Sequence, residues 1–396
     1  MRREAIVTLG IVAALVLSAG GVATATTDRG GSVLVVDAAG DAEYSSVQAA
    51  VDAADPSDTV RVRPGVYPEN VTVDGAVRIV APQGATLDGT GIDGGSAIEV
   101  ETDADVVVEG LTITDYSRGI SALGTAGDWQ IRNVTVRIVE FGAVAAGGSE
   151  GDWVVSNLTV RNASGGVAAG SSSGDWTVTD TRIRNVTIGH GVEAMTATGD
   201  WTLDGVTVSA VHFVGVSASF TEGDWRLRNV TVRNATVGVG AIEASGSWSV
   251  RRSAILDSSV SDRFTLRKPA VQEGVGIYAR DTNGSWSVHG TRFAGNEAGG
   301  IVAEGADPAG NATHNWWGEG EPRCTGTVDC EPSLTAWPPE QPIPGETATP
   351  TPTATPEPGA NTSSEAVTTT SAPGFGLPTA GLLGLVAVVA ALLRRE

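Results

Sequence analysis

Apolar residues recur in a fixed order through the middle of this chain. Seven tryptophans, Trp129, Trp153, Trp176, Trp201, Trp225, Trp248 and Trp286, stand 24, 23, 25, 24, 23 and 38 residues apart. Two places after each comes an apolar residue, from Ile131 and Val155 to Val250 and Val288. Such alternation predicts a strand with one buried face. Four places after the tryptophan stand Asn133, Asn157, Asp180, Gly205, Asn229, Arg252 and Gly290. All but Arg252 are types that accept a left-handed backbone. The apolar phase then shifts to the seventh place: Val136, Val160, Ile183, Val208, Val232, Ile255 and Phe293. A change of phase at a left-handed residue predicts a corner between two strands.

A third strand, written mostly Gly-[Val or Ile]-x-Ala, carries Val144, Val167, Val192, Val216, Val239, Ile277 and Ile301. Where a tryptophan follows, it comes nine residues later, so that corner has a fixed length. The corner between the second and third strands alone absorbs the extra residues of the long repeat, "DSSVSDRFTLRKPAVQEG". Three strands per repeat, two fixed corners and one elastic corner predict an all-β fold, a single-stranded right-handed parallel β-helix of about ten coils. Its coils of 23 to 25 residues would lay the indoles on one another at about the strand spacing of 4.8 Å. The pattern starts before the first tryptophan, with Val106, Val108, Gly110 and Ile113 in the corresponding slots. Upstream, a short helix after Ser45 and Ser46 and strands around Val60 to Val62, Val71 to Val73 and Val77 to Val80 are expected. The expected organisation is a cap over residues 26–58, the β-helix over 59–318 and a second cap over 319–340.

The upstream segment resembles the entrance of pectin-lyase-like right-handed β-helices, where a helix covers the open first coil. The downstream "NATHNWWGEGEP" is similar to the closing segment of NosD-type β-helix repeat proteins. Together the resemblances span Val33 to Pro322 and imply a fold rather than an activity.

Residues 1–25, with Arg2 and Arg3 before an apolar run and small residues at the end, read as a signal peptide. Residues 341–372 are rich in Pro and Thr and predict an extended stalk. Residues 373–396 hold an apolar run from Leu377 to Leu393 ended by Arg394 and Arg395, the pattern of a membrane anchor with a cytoplasmic end. With Pro373, Gly374 and Phe375 as its tripeptide, this tail resembles the PGF-CTERM sorting signal of archaeal surface proteins. That resemblance implies removal of the helix and attachment to the archaeal membrane through a lipid. The segment by itself says only that the chain is tethered at the cell surface.

Asp and Glu number 46 against 25 Lys and Arg, a formal charge of −21, and Lys268 is the only lysine. So acidic a chain argues against nucleic acid as a partner and fits either a halophilic archaeon or an ordinary acidic exported protein. Asp128, Asp152, Asp175, Asp200 and Asp224, one before each of five tryptophans, would form a ladder of like charges. Either strong salt screens that ladder or Ca2+ or another cation sits along it, unless each aspartate simply closes its turn on a backbone amide. No other cofactor is expected. Cys324 and Cys330, in an exported chain, predict a local disulfide.

Candidate chemistry is sparse. Outward positions of the third strand read Ser121, Ala145, Ala168, Glu193, Ser217, Gly240, Tyr278 and Val302, a nearly blank face. His190, in a Gly-His-Gly similar to a polygalacturonase motif, and Glu193 are the only catalytic candidates, and that family's other acidic and basic motifs are missing. His212, His289 and His314 fall on different coils, so the copper role that the NosD resemblance would imply lacks ligands. Arg263, Phe264, Arg267 and Lys268 in the long insertion, with Tyr278, Arg280 and Asp281 on the adjoining strand, form the candidate binding patch. Asn162, Asn185 and Asn234, in or near the elastic corner, are the candidate glycan acceptors. The expected partners are an extracellular glycan or surface-layer components. The reading is a non-catalytic structural or glycan-binding role, with a polysaccharide lyase or glycoside hydrolase on acidic polysaccharide as the alternative.

Overall fold

The computed structural model describes residues 31–260, 272–318 and 323–337. The signal peptide, the stalk, the C-terminal tail with Pro373, Gly374 and Phe375, and the insertion residues Arg263, Phe264, Arg267 and Lys268 lie outside the described residues. Among the described residues no helix is long and apolar enough to cross a membrane.

Every strand pairing is parallel, and successive coils pair slot for slot, giving an all-β right-handed parallel β-helix. Trp129 pairs with Trp153, Trp153 with Trp176, and so on to Trp248 with Trp286. The indoles are buried and stacked face to face, with centroids 4.6 to 5.0 Å apart and planes within 10° of parallel. The spacing is that of strands in a sheet, so each ring contacts the next as a consequence of coil pitch. The residues two and seven places after each tryptophan complete the same core.

The solenoid runs to about twelve turns rather than about ten. Both expected caps themselves contribute coil strands. Val33–Val36 pairs with Thr59–Val62, and the strands Cys324–Gly326 and Val328–Asp329 continue the stack at the other end. The expected helix, Val47–Asp52, buries Val47, Ala50 and Val51 over the first coils. Ser46 caps it by accepting from the Ala49 amide, and the Glu69 carboxylate accepts from the Val47 and Gln48 amides at 2.8 and 2.9 Å. A carboxylate there meets the positive end of the backbone dipoles. At the far end Trp317 stacks on Phe293 at 4.7 Å.

The predicted corner, four places after the tryptophan, is left-handed throughout, with φ from 48° to 69° and Arg252 included. Two more left-handed residues occur in each coil. One lies nine places after the tryptophan, as at Ile138, Asn162, Asn185, Ala210 and Asn234. The other follows the third strand, as at Ser171, Thr196, Phe220 and Glu243. Side chains as unlike as Ser, Phe and Glu adopt the same φ where their amides donate to the next coil, Ser171 to Met195, Phe220 to Ile242 and Glu243 to Arg280, and these bonds over-determine it.

In most coils of the tryptophan repeat two glycines are required by close approach. A Cβ on the glycine of the Gly-Asp-Trp phrase, as at Gly174, Gly199 or Gly223, would lie 2.1 Å from the carbonyl oxygen of its counterpart one coil back. A Cβ on the third-strand glycine, at Gly191, Gly215 or Gly238, would lie 2.3 Å from a Val or Ile methyl of the second sheet. Gly191 is thus the repeat's glycine, and its place beside His190 follows from the fold.

Candidate functional site

The outer face of the third sheet, where the candidate chemistry was expected, carries Glu99, Ser121, Ala145, Ala168, Glu193, Ser217, Gly240, Tyr278 and Val302 in one file. Its C-terminal half is packed rather than blank. Tyr278 and Val302 are buried at 4% exposure in a second apolar cluster with Val214, Val237, Ile242 and Val275, against which Phe213 packs. This cluster lies outside the main core. It was hidden from the sequence because the three valines precede the repeat's glycine, where the simple alternation of strand faces breaks.

His190 occupies the same file as those valines, its coil joined to Val214 by the Gly191 amide at 3.1 Å. The ring lies against Phe213, centroids 5.1 Å apart, and its buried Nδ1 has no hydrogen-bond partner among the described residues. Burial holds the imidazole below its ordinary pKa, against the opposing pull of the Glu193 carboxylate and the Val214 backbone. A base whose pKa is lower in the folded state leaves the unfolded chain binding more protons. Stability should therefore fall as pH drops below about 6.5, the ordinary histidine value, until the folded-state pKa is passed. Unfolding in urea at pH 7 and pH 5 should show a smaller pH effect in His190→Gln than in the parent; equal effects would contradict the assignment.

Tyr278 donates to Glu304 Oε2 at 2.9 Å, and burial, followed by that carboxylate, raises its phenol pKa. Arg280 Nε lies 3.5 Å from Asp281 Oδ2, and Asp281 is itself a left-handed corner residue. Tyr278, Arg280 and Asp281 therefore share one strand end. His212, His289 and His314 stay on separate coils, and the described residues hold no group of three or more metal-ligating side chains. Cys324 and Cys330 are joined, S–S 2.11 Å.

The Asp ladder is built as an amide ladder. Asp128 Oδ1 accepts from the Asp152 amide, and the pattern repeats through Asp175, Asp200 and Asp224 to the Ser247 amide, each bond 2.8 Å. Each carboxylate thus ties its coil to the next one rather than closing its own turn. The candidate glycan acceptors behave similarly in part: Asn185 Nδ2 donates to Asn162 Oδ1 at 2.7 Å. Asn234 is exposed at its corner.

Two surfaces were not singled out from the sequence. One is a shallow groove of about 390 Å³ on the outer face of the tryptophan sheet, lined by Trp225, Trp248 and Trp286 and by the polar residues Asp224, Arg226, Ser247, Ser249, Ser285, Ser287 and Asn311. It forms because side chains shorten from Arg226 to Ser249 and Ser287 along one file and from Asp224 to Ser247 and Ser285 along the next. The signal was the change of phrase from Gly-Asp-Trp to Gly-Ser-Trp. The other is a file of arginines on the second sheet, eight places after the tryptophan, where Arg137, Arg161 and Arg184 are paired in register and exposed.

No protein-family model matches the chain, and no curated protein matches it. Among solved structures it is similar to the pectate lyase Pel9A, at 11% identity and a TM-score of 0.43, over 78% of this chain and 80% of that one. It is similar also to an alginate lyase from Paenibacillus sp. str. FPU-7, at 13% identity and a TM-score of 0.45, over 75% of this chain and 99% of that one. The catalytic domain of a GH87 α-1,3-glucanase matches at 12% identity and a TM-score of 0.36, over 72% of this chain and 67% of that one.

Proposed function

We propose that this chain is an exported β-helix, held at the cell surface through its C-terminal segment, with a non-catalytic role in binding or organising extracellular glycan. The groove on the tryptophan sheet carries the reading. It offers a cluster of hydroxyls and an amide, Ser247, Ser249, Ser285, Ser287 and Asn311, with one carboxylate and one guanidinium at its end. Short polar side chains on a rigid strand face suit hydroxyl-rich ligands whose groups need donors and acceptors at once. Glycosidic hydrolysis needs two carboxylates flanking one bond, and this groove presents a single one, Asp224.

The test is a panel of neutral and acidic polysaccharides measured for binding and for cleavage by reducing ends and by unsaturated uronate absorbance. Binding without product is expected. Ser249→Trp, which fills the groove, should weaken binding at least roughly tenfold through the loss of shape and hydrogen bonds. Product release that disappears in Glu193→Gln or His190→Gln would establish the lyase or hydrolase alternative instead.

A further inference from the structure

We infer that the arginine file on the second sheet and the aspartate file of the Gly-Asp-Trp corners are the two halves of one contact, through which a second copy of this chain docks side by side. The two files occupy the same five coils. Asp128, Asp152, Asp175, Asp200 and Asp224 precede the tryptophans of those coils, and Arg137, Arg161, Arg184 and Arg233 stand eight places after four of them, with Ser209 in the fifth. In the next two coils both files end together: Ser247 and Ser285 replace the aspartate, Leu256 and Ala294 the arginine. Register pairing of strands fixes the spacing within each file, so the two have the same repeat along the solenoid.

Arg233 aside, the guanidiniums of the arginine file and the carboxylates of the aspartate file make no ion pair among the described residues. Arg137, Arg161 and Arg184 are exposed and make no ion pair among the described residues; Arg233 lies 3.9 Å from Asp257. Asp128, Asp152, Asp175 and Asp200 are exposed, and each spends Oδ1 on the amide of the next coil, leaving Oδ2 without a hydrogen bond among the described residues. A column of like charges repels itself, and bringing a guanidinium column against a carboxylate column relieves both at once. Guanidinium is the suitable cation because its planar fork can take a carboxylate by two bonds.

The placement of the files makes the contact heterologous. In each coil the aspartate stands at the corner joining the third strand to the tryptophan strand, and the arginine stands on the second strand, across the coil from that corner. One copy's arginines can meet only the other copy's aspartates, so a docked pair leaves one free file of each kind and the contact can repeat laterally. Two chains of charge −21 repel at long range, so association should be strongest near physiological ionic strength, where the screening length is about 8 Å, and weaken near 1 M, where it is about 3 Å.

The experiment is sedimentation velocity of the full chain in mild detergent, with two neutralised variants. One is Arg137→Gln/Arg161→Gln/Arg184→Gln. The other is Asp152→Asn/Asp175→Asn/Asp200→Asn, in which the asparagine Oδ1 still accepts the next coil's amide. The parent should form concentration-dependent oligomers without a limiting size. Each variant alone should lose that association by roughly tenfold or more in dissociation constant. An equimolar mixture should form a one-to-one heterodimer and stop there, since it holds one intact file of each kind. Near-ultraviolet circular dichroism of the tryptophan column checks that both variants fold. Association that survives in either variant, or a mixture that stays monomeric, overturns the proposal. So does a monomeric parent, including one whose arginine file instead binds polyuronate or single-stranded nucleic acid and loses that binding in the arginine variant. Polysaccharide binding in the groove is measured separately by Ser249→Trp, so failure here leaves the proposed function standing.

Discussion

Replacing Trp201 by alanine is expected to destabilise the solenoid by about 4 kcal/mol or more, the upper part of the range for deleting a buried aromatic side chain. Trp201 sits mid-column, 4.8 Å from Trp176 and 5.0 Å from Trp225, and is 1% exposed. Alanine removes the ring's buried area and both stacking contacts, each worth about 0.5 to 1.5 kcal/mol beyond burial. Trp201→Phe is expected to cost well under half as much. Phenylalanine keeps a ring in the column, and it removes an indole Nε1 that is buried without a hydrogen-bond partner, a liability that offsets part of the lost area. A solenoid's stability resides in coils and the interfaces between neighbours. A gap at Trp201 should therefore also divide the unfolding transition into two. Guanidinium unfolding followed by tryptophan fluorescence and by far-ultraviolet circular dichroism would read both effects. A single transition displaced by less than 1 kcal/mol in Trp201→Ala would mean that the column is a by-product of packing and not its support.

The column was legible because tryptophan is rare, large and placed in one slot of seven successive coils, so its period survives the changes around it. The second-strand phase shift and the third-strand glycine were readable for the same reason. Left-handed corners at Ile138, Phe220 and Glu243 were not, since those residues do not favour that backbone, and Phe220 and Glu243 are held in it by amide bonds to the next coil. The arginine file lay in plain register eight places after the tryptophan. A net charge of −21 obscured it by treating as uniform a surface that the coils divide into separate files. The groove was harder still, because it is made by what is short: Ser249 and Ser287 matter as a depression only once Arg226 is known to stand beside them in register. The His190 reading from Gly-His-Gly met the opposite difficulty, for the glycine that makes the motif belongs to the repeat, as Gly215 and Gly238 do.

Gly199→Ala, the addition of one methyl group, should cost about 3 kcal/mol or more, beyond the usual range for overpacking. The new Cβ would lie 2.1 Å from the Gly174 carbonyl oxygen, 2.6 Å from its carbon and 2.7 Å from the Ser173 oxygen. All three are backbone atoms of the coil below, and no side chain can turn aside to admit it. Relief requires the two coils to separate at this corner. That movement would stretch the Thr198 amide bond to Ser172 at 2.9 Å, the Asp200 amide bond to Asp175 Oδ1 at 2.8 Å, and the contact of Trp201 with Trp176. The comparison that isolates this cause is Gly75→Ala. No atom lies within 4 Å of a Cβ there, and the backbone is not left-handed, so alanine should be neutral or stabilise by about 0.4 to 1 kcal/mol through the unfolded state. Denaturant midpoints of the two variants should move in opposite directions or differ by several kcal/mol. Equal, small shifts would show that the coils have slack at the Gly-Asp-Trp corner. The glycine in that phrase would then have to be explained by something other than the distance between one turn of the chain and the next.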